Sequence, residues 1–221
     1  MEHARLAGRG AVATGPRAAA GRLLLHPAAK PLLWLLCLLP LVWLVAGAAL
    51  DRLGANPAEA LIRSTGDWTL RMLCLTLAIT PLRLTLALPA LARFRRMLGL
   101  WTFAYAALHL LCYAWFDMGL DAGEIARDVA KRSFILVGMG GFALLLVLAA
   151  TSFNRAIRWL GARRWQRLHR SVYLIAGLAV LHFFWMRAGK NDFAEVAVYA
   201  GVLVTLLLSR LWLRRGRGAT A

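Results

Sequence analysis

Long apolar runs separated by short charged connections dominate this chain. Six of them approach the roughly 20 residues that a helix needs to cross the hydrocarbon core of a bilayer. They are Leu32 to Leu50, Trp68 to Leu88, Met97 to Phe116, Phe134 to Ala150, Val172 to Met186 and Ala194 to Leu213. Trp34, Trp68, Trp101, Trp115, Trp185 and Trp212 fall near the ends of these runs, where an amphipathic indole favours the headgroup boundary. The pattern predicts an all-α integral membrane protein, a six-helix transmembrane bundle over 32–213. A basic, disordered tail over 1–31 precedes it, and a second basic tail over 214–221 follows.

Composition supports that class. The chain is 61% hydrophobic, yet carries a formal net charge of +17 over 221 residues, and its mean hydropathy is +0.63. So much Arg does not suit a greasy soluble core and belongs outside the bilayer. Arg5, Arg9, Arg17, Arg22 and Lys30 precede the first run; Arg93, Arg95 and Arg96 lie between the second and third; Arg155, Arg158, Arg163, Arg164 and Arg167 lie between the fourth and fifth; Arg214, Arg215 and Arg217 follow the last. The intervening connections are acid-rich, with Asp51, Glu59 and Asp67, then Asp117, Asp121, Glu124 and Asp128, then Asp192 and Glu195. Because Lys and Arg resist translocation, this alternation predicts that both termini are cytoplasmic and that the first run is kept as an anchor. Nucleic-acid binding would need a soluble basic face, so it is not expected.

Few side chains inside the runs can carry chemistry. Cys37, Cys74 and Cys112 have no spacing of an iron–sulfur or zinc site and read as small packing residues. His3 and His26 belong to the leading tail and carry no expected role. His109, His169 and His182 are different, since stranding an imidazole in hydrocarbon is costly unless a metal, cofactor or partner satisfies it. His109 lies thirteen residues beyond Arg96, and His182 twelve beyond Arg170. Both runs start at a basic edge and head outward, which puts both rings about 18 to 20 Å from that edge. Two imidazoles at one depth on parallel helices suit the two axial positions of a haem iron.

His169 sits at the inner edge, where the facing helix offers Arg96 and no histidine. It has two readings, a hydrogen bond to a quinone or flavin and simple exposure to headgroups. Arg95 and Arg96 likewise either anchor the helix to anionic lipid or meet a cofactor carboxylate or phosphate. Pro81 interrupts the second run, frees a backbone carbonyl and predicts a kink.

The runs Thr80-Pro81-Leu82-Arg83, Arg95-Arg96-Met97-Leu98-Gly99-Leu100 with Tyr105 and His109, Lys131-Arg132 with Gly138, Thr151-Ser152, and Trp165-Gln166-Arg167-Leu168-His169-Arg170 with Tyr173 and His182 resemble the MsrQ family, also called YedZ. The resemblance covers about Gly66 to Trp185. That family belongs to the ferric-reductase-like transmembrane superfamily of six-helix haem b bundles.

The resemblance implies an inner-membrane electron-transfer subunit, not itself the catalytic one, with haem b and FMN as cofactors. It implies delivery of electrons to the periplasmic molybdenum enzyme MsrP, which reduces methionine sulfoxide in periplasmic proteins. His109 and His182 match the family's haem-ligand positions, and His169 its third characteristic histidine. Two-haem members of the superfamily have four such residues, so a second haem lacks a ligand here. No Gly-rich nucleotide-binding unit follows the last run, so electrons are expected from the quinone pool or a separate cytoplasmic flavin reductase. The acidic connections 117–128 and 192–195 are the expected docking face. The alternatives are a stand-alone quinol- or metal-reducing cytochrome b, a proton-coupled transporter using intramembrane histidines, and a purely structural anchor.

Overall fold

The computed structural model describes residues 15–189 and 191–218, with the side chains beyond Leu213 not described; His3 and the first 14 residues lie outside them. Among these residues every regular element is helical. Part of the leader expected to lack structure forms α1, Pro16–Leu25. Pro16 starts it with a φ suited to a helix, Ala and Leu propagate it, and Arg93 holds its last turn by a 2.8 Å bond to the Leu24 carbonyl.

The apolar runs become α2 (Ala29–Ala49), α3 (Pro57–Thr85), α4 (Arg95–Cys112), α6 (Ser133–Ala150), α9 (Val172–Ala188) and α10 (Ala194–Gly218). Short amphipathic helices fill the connections: α5 (Ala122–Lys131), α7 (Asn154–Leu160) and α8 (Ala162–His169). A 3-10 turn leads into α4 and a π turn leads out of it, making one continuous element from Pro89 to Asp117.

Five of these elements are long and apolar enough to cross a membrane: α2, Pro89–Asp117, α6, α8 joined to α9, and α10 up to Leu213. The second predicted run is not among them. Most of it falls in α3, which begins eleven residues earlier, ends at Thr85 and carries Glu59, Arg63, Asp67, Arg71 and Arg83 along its 29 residues. The run Val172 to Met186 becomes α9, preceded by α8 with only a short turn of helical backbone between them. α8 ends at His169, a turn at Arg170 and Ser171 intervenes, and α9 starts at Val172.

The core lies where α3, α4, α6, α9 and α10 meet, at Leu73, Leu77, Ala106, Leu145, Leu148, Ile175, Ala176 and Leu203. α2 lies outside it, burying Cys37 and Leu44 and exposing Leu32, Leu35, Leu39 and Trp43. Tyr105 ties α2 to α4 through a 2.7 Å bond to the Cys37 carbonyl. So much exposed apolar surface is what a helix surrounded by lipid presents.

Pro81 stays inside α3 and is buried. It has no N–H for the Leu77 carbonyl four residues back. The guanidinium of Arg210, buried on α10, donates to that carbonyl and also to the Tyr173 hydroxyl at 3.1 Å. The proline therefore creates an acceptor that a buried charge from another helix satisfies, and one polar node joins α3, α9 and α10.

Candidate functional site

α3 runs antiparallel to α4, with Gly66 beside His109 and Thr76 beside Thr102. α6 runs antiparallel to α9, with Gly138 beside His182 and Gly141 beside Leu178. The N-termini of α3 and α6 and the C-termini of α4 and α9 thus share one end of the bundle. A cavity of about 720 Å³ opens between these four helices, and both His109 and His182 line it. Leu70, Leu73, Phe142, Leu145, Ile175 and Leu178 make its wall largely apolar.

The two imidazoles are held by one repeated device. His109 Nδ1–H donates to the Ile62 carbonyl at 2.9 Å, and His182 Nδ1–H to the Phe134 carbonyl at 2.6 Å. A carbonyl only accepts, so the proton is on Nδ1 and the lone pair on Nε2 in both rings. Each accepting carbonyl belongs to the residue four before a glycine, Ile62 before Gly66 and Phe134 before Gly138. In a helix that oxygen points toward residue i+4, whose side chain would block a sideways approach. A Cβ at Gly66 would lie 3.2 Å from the His109 ring, and one at Gly138 only 2.7 Å from His182 Nδ1. Two glycines therefore open two carbonyls to two histidines.

The ring centroids are 6.2 Å apart with planes crossed at 80°. Metal–imidazole bonds are about 2 Å, and a ring nitrogen lies roughly 1.1 Å from its centroid, so an ion gripped by two rings would hold them about 6 Å apart. Among the described residues no three His, Cys, Asp or Glu side chains gather as metal ligands. The pair thus suits a planar metal chelate that brings its own equatorial donors and takes only axial ligands from protein. The apolar wall matches the faces of such a ring.

The mouth of the cavity, at the shared helix end, is charged. Arg63, Arg132 and Arg187 line it with Glu59, Asp67, Asp117 and Glu195. Arg63 pairs with Glu59 at 2.5 Å, Arg132 with Asp128 at 2.8 Å, and Arg187 with Asp192 at 3.1 Å and with Glu195.

Of the five residues that the sequence marks, this cavity gathers His109 and His182. Arg95, Arg96 and His169 lie at the opposite end of the bundle. His169 stacks on Trp165 with centroids 3.9 Å apart, its Nδ1 meets the Trp165 carbonyl at 3.2 Å, and its Nε2 meets Ser152 at 3.4 Å. Arg96 donates to the Asn154 side chain at 2.8 Å, and both arginines are exposed. Ile62, Phe134, Gly66, Arg63 and Arg187 were not singled out from sequence, and Gly138 and Arg132 only as parts of a motif. A glycine at histidine depth inside an apolar run was the available signal.

The family model of the ferric reductase like transmembrane component matches residues 65–180. A relative from Polaromonas naphthalenivorans, a "protein-methionine-sulfoxide reductase heme-binding subunit MsrQ", is 66% identical over 189 residues, 86% of each chain. Relatives of the same name from Ralstonia nicotianae and Caulobacter vibrioides are 54% and 46% identical. They cover 81% and 82% of this chain, and 82% and 85% of their own lengths. No solved structure matches.

Proposed function

We propose, for a chain that belongs to the MsrQ family within the ferric-reductase-like transmembrane proteins, that His109 and His182 would hold one haem b, which would supply the electron carrier serving a periplasmic methionine sulfoxide reductase. The chain is a multi-pass membrane protein. The single observation that carries the assignment is the pair of rings 6.2 Å apart, each fixed by its Nδ1–H on a carbonyl.

Haem, when bound, supplies a reversible one-electron carrier. The rest is the work of this chain. The two carbonyls fix tautomer and ring orientation, and a bonded Nδ1–H raises the donor strength of the opposite nitrogen. Gly66 and Gly138 let the helices come close enough to do so. The aliphatic wall excludes water and lowers the local dielectric, which together with the axial pair sets the potential.

In the full proposal α3 completes six spans with both termini cytoplasmic, as the alternation of basic and acidic connections requires. The cavity mouth then faces the periplasm, beside Asp117 to Asp128 and Asp192 with Glu195, a face suited to transient charged contacts with an MsrP-like molybdenum reductase. Electrons enter at the opposite side, from the quinone pool or a cytoplasmic flavin reductase. FMN, which the family resemblance implies, is given no place at Arg95, Arg96 and His169. Both His169 nitrogens are engaged within the chain and Arg96 is held by Asn154, so no step is assigned to a flavin.

The test is the visible spectrum of the purified chain in detergent. A Soret band that is present in the wild type and lost in His109→Ala and in His182→Ala is expected. A colourless wild type, or a band that survives both substitutions, overturns the proposal.

A further inference from the structure

We propose that Arg187, flanked by Arg63 and Arg132, forms a carboxylate-binding rim that fixes the haem with its two propionates toward the charged mouth of the cavity. This inference rests on the haem reading above and adds the direction in which the ring is seated.

Two helices and the extended residue before a third bring these arginines to the same side of the histidines. Arg63 lies three residues from Gly66 toward the start of α3, Arg132 six before Gly138 at the cap of α6, and Arg187 five beyond His182 toward the end of α9. At 1.5 Å per residue they stand about 4.5, 9 and 7.5 Å beyond the level of the histidines. The other way along the cavity ends at Leu73, Leu145 and Ile175, which belong to the packed core. Carboxylates cannot be left in that apolar end without a large desolvation cost, so the mouth is the end that accepts them.

The donors are free for the task. The Nε of Arg187 is buried and, among the described residues, has no hydrogen-bond partner. The remainder of that guanidinium is held by Asp192 and Glu195 while its face covers Phe183 at 5.4 Å. The ion pair of Arg63 uses Nη2 and that of Arg132 uses Nε, leaving further N–H groups in each five-donor fork. Glu59, Asp128, Asp192 and Glu195 hold the guanidinia in place, while Asp67 and Asp117 line the mouth outside these ion pairs, so recognition comes from positioned donors rather than from a net positive field.

Reconstituting the full-length apoprotein with haem b and with haem b dimethyl ester, whose propionates carry no charge, tests this directly. The wild type is expected to take haem b at least tenfold more tightly than the ester. Arg187→Gln is expected to lower affinity for haem b about tenfold, leave affinity for the ester unchanged and so erase most of the preference, with Arg187→Lys restoring part of it. Equal wild-type affinities overturn the rim, as does an Arg187→Gln variant that weakens both ligands alike. If Arg187→Gln does not fold, Arg63→Gln and Arg132→Gln must each narrow the preference, and the wild-type comparison stands without any variant. A wild type that binds neither ligand sinks the haem assignment itself, a distinct result.

Discussion

The two ends of the helix bundle handle buried polar groups in opposite ways. At the mouth end, α3 and α6 spend glycines to open a cavity, and two carbonyls that already serve their helices take a second partner from a histidine. At the other end the core is filled. There Pro81 strips the Leu77 carbonyl of its helical partner, and Arg210 crosses from α10 to replace it. His169 at that end is satisfied on both nitrogens by its own neighbourhood. The lesson is that an intramembrane histidine is not a ligand by virtue of depth. All three rings have Nδ1 at a carbonyl; what separates His109 and His182 from His169 is that they line a cavity, whereas the Nε2 of His169 meets Ser152.

Substitutions that exchange these properties sharpen the contrast. The largest effect is expected from His109→Ala or His182→Ala, with haem per chain falling at least tenfold by pyridine haemochrome, while His169→Ala keeps near wild-type content. Equal losses in all three would erase the distinction between the two ends.

Gly138→Ala comes next. Its Cβ would sit 2.7 Å from His182 Nδ1, so the ring must move and give up the Phe134 carbonyl, an overpacking cost of about 1–3 kcal/mol. Haem affinity should fall roughly tenfold, since 1.4 kcal/mol is a factor of ten. Gly66→Ala, at 3.2 Å, should do less, and Gly177→Ala, with open space around it, should leave binding unchanged. Titration of the three apoproteins with haem gives the order, and a Gly138→Ala protein that binds like the wild type would refute the glycine device.

At the packed end the measurable quantity is a coupling. Arg210→Met leaves the Leu77 carbonyl unpaired, a penalty of about 1–3 kcal/mol. In a Pro81→Ala background the helix supplies its own donor to that carbonyl, so the same substitution should cost about 1 kcal/mol less. Unfolding free energies of the four proteins in detergent give this number, and strict additivity would show that the proline and the arginine are not connected.

The smallest effect belongs to Arg96→Gln. Its bond to Asn154 is exposed, and a change in unfolding free energy within about 0.5 kcal/mol is expected.

Much of this contrast was legible along the chain. Apolar runs located five crossing elements and the C-terminal part of α3 but not its start, and the counting of residues from basic edges brought His109 and His182 to one level. The second predicted run is not among the five, because α3 mixes Glu59, Arg63, Asp67 and Arg71 with its apolar positions, and hydropathy averages over faces that the fold treats separately. The turn at Arg170 and Ser171 was not legible because both residues suit a helix and keep helical backbone angles there.

Composition and pattern by themselves determined the solvent, since 61% apolar residues gathered into long runs cannot be buried in a chain this small except in lipid. They also determined which histidines share a depth, because helical rise is a property of the backbone alone. Only the tertiary structure decided which of those rings has a free nitrogen facing a cavity. That depends on Ile62, Phe134, Gly66 and Gly138, residues on helices 40 to 50 positions away in sequence, whose carbonyls become partners only when the helices pack.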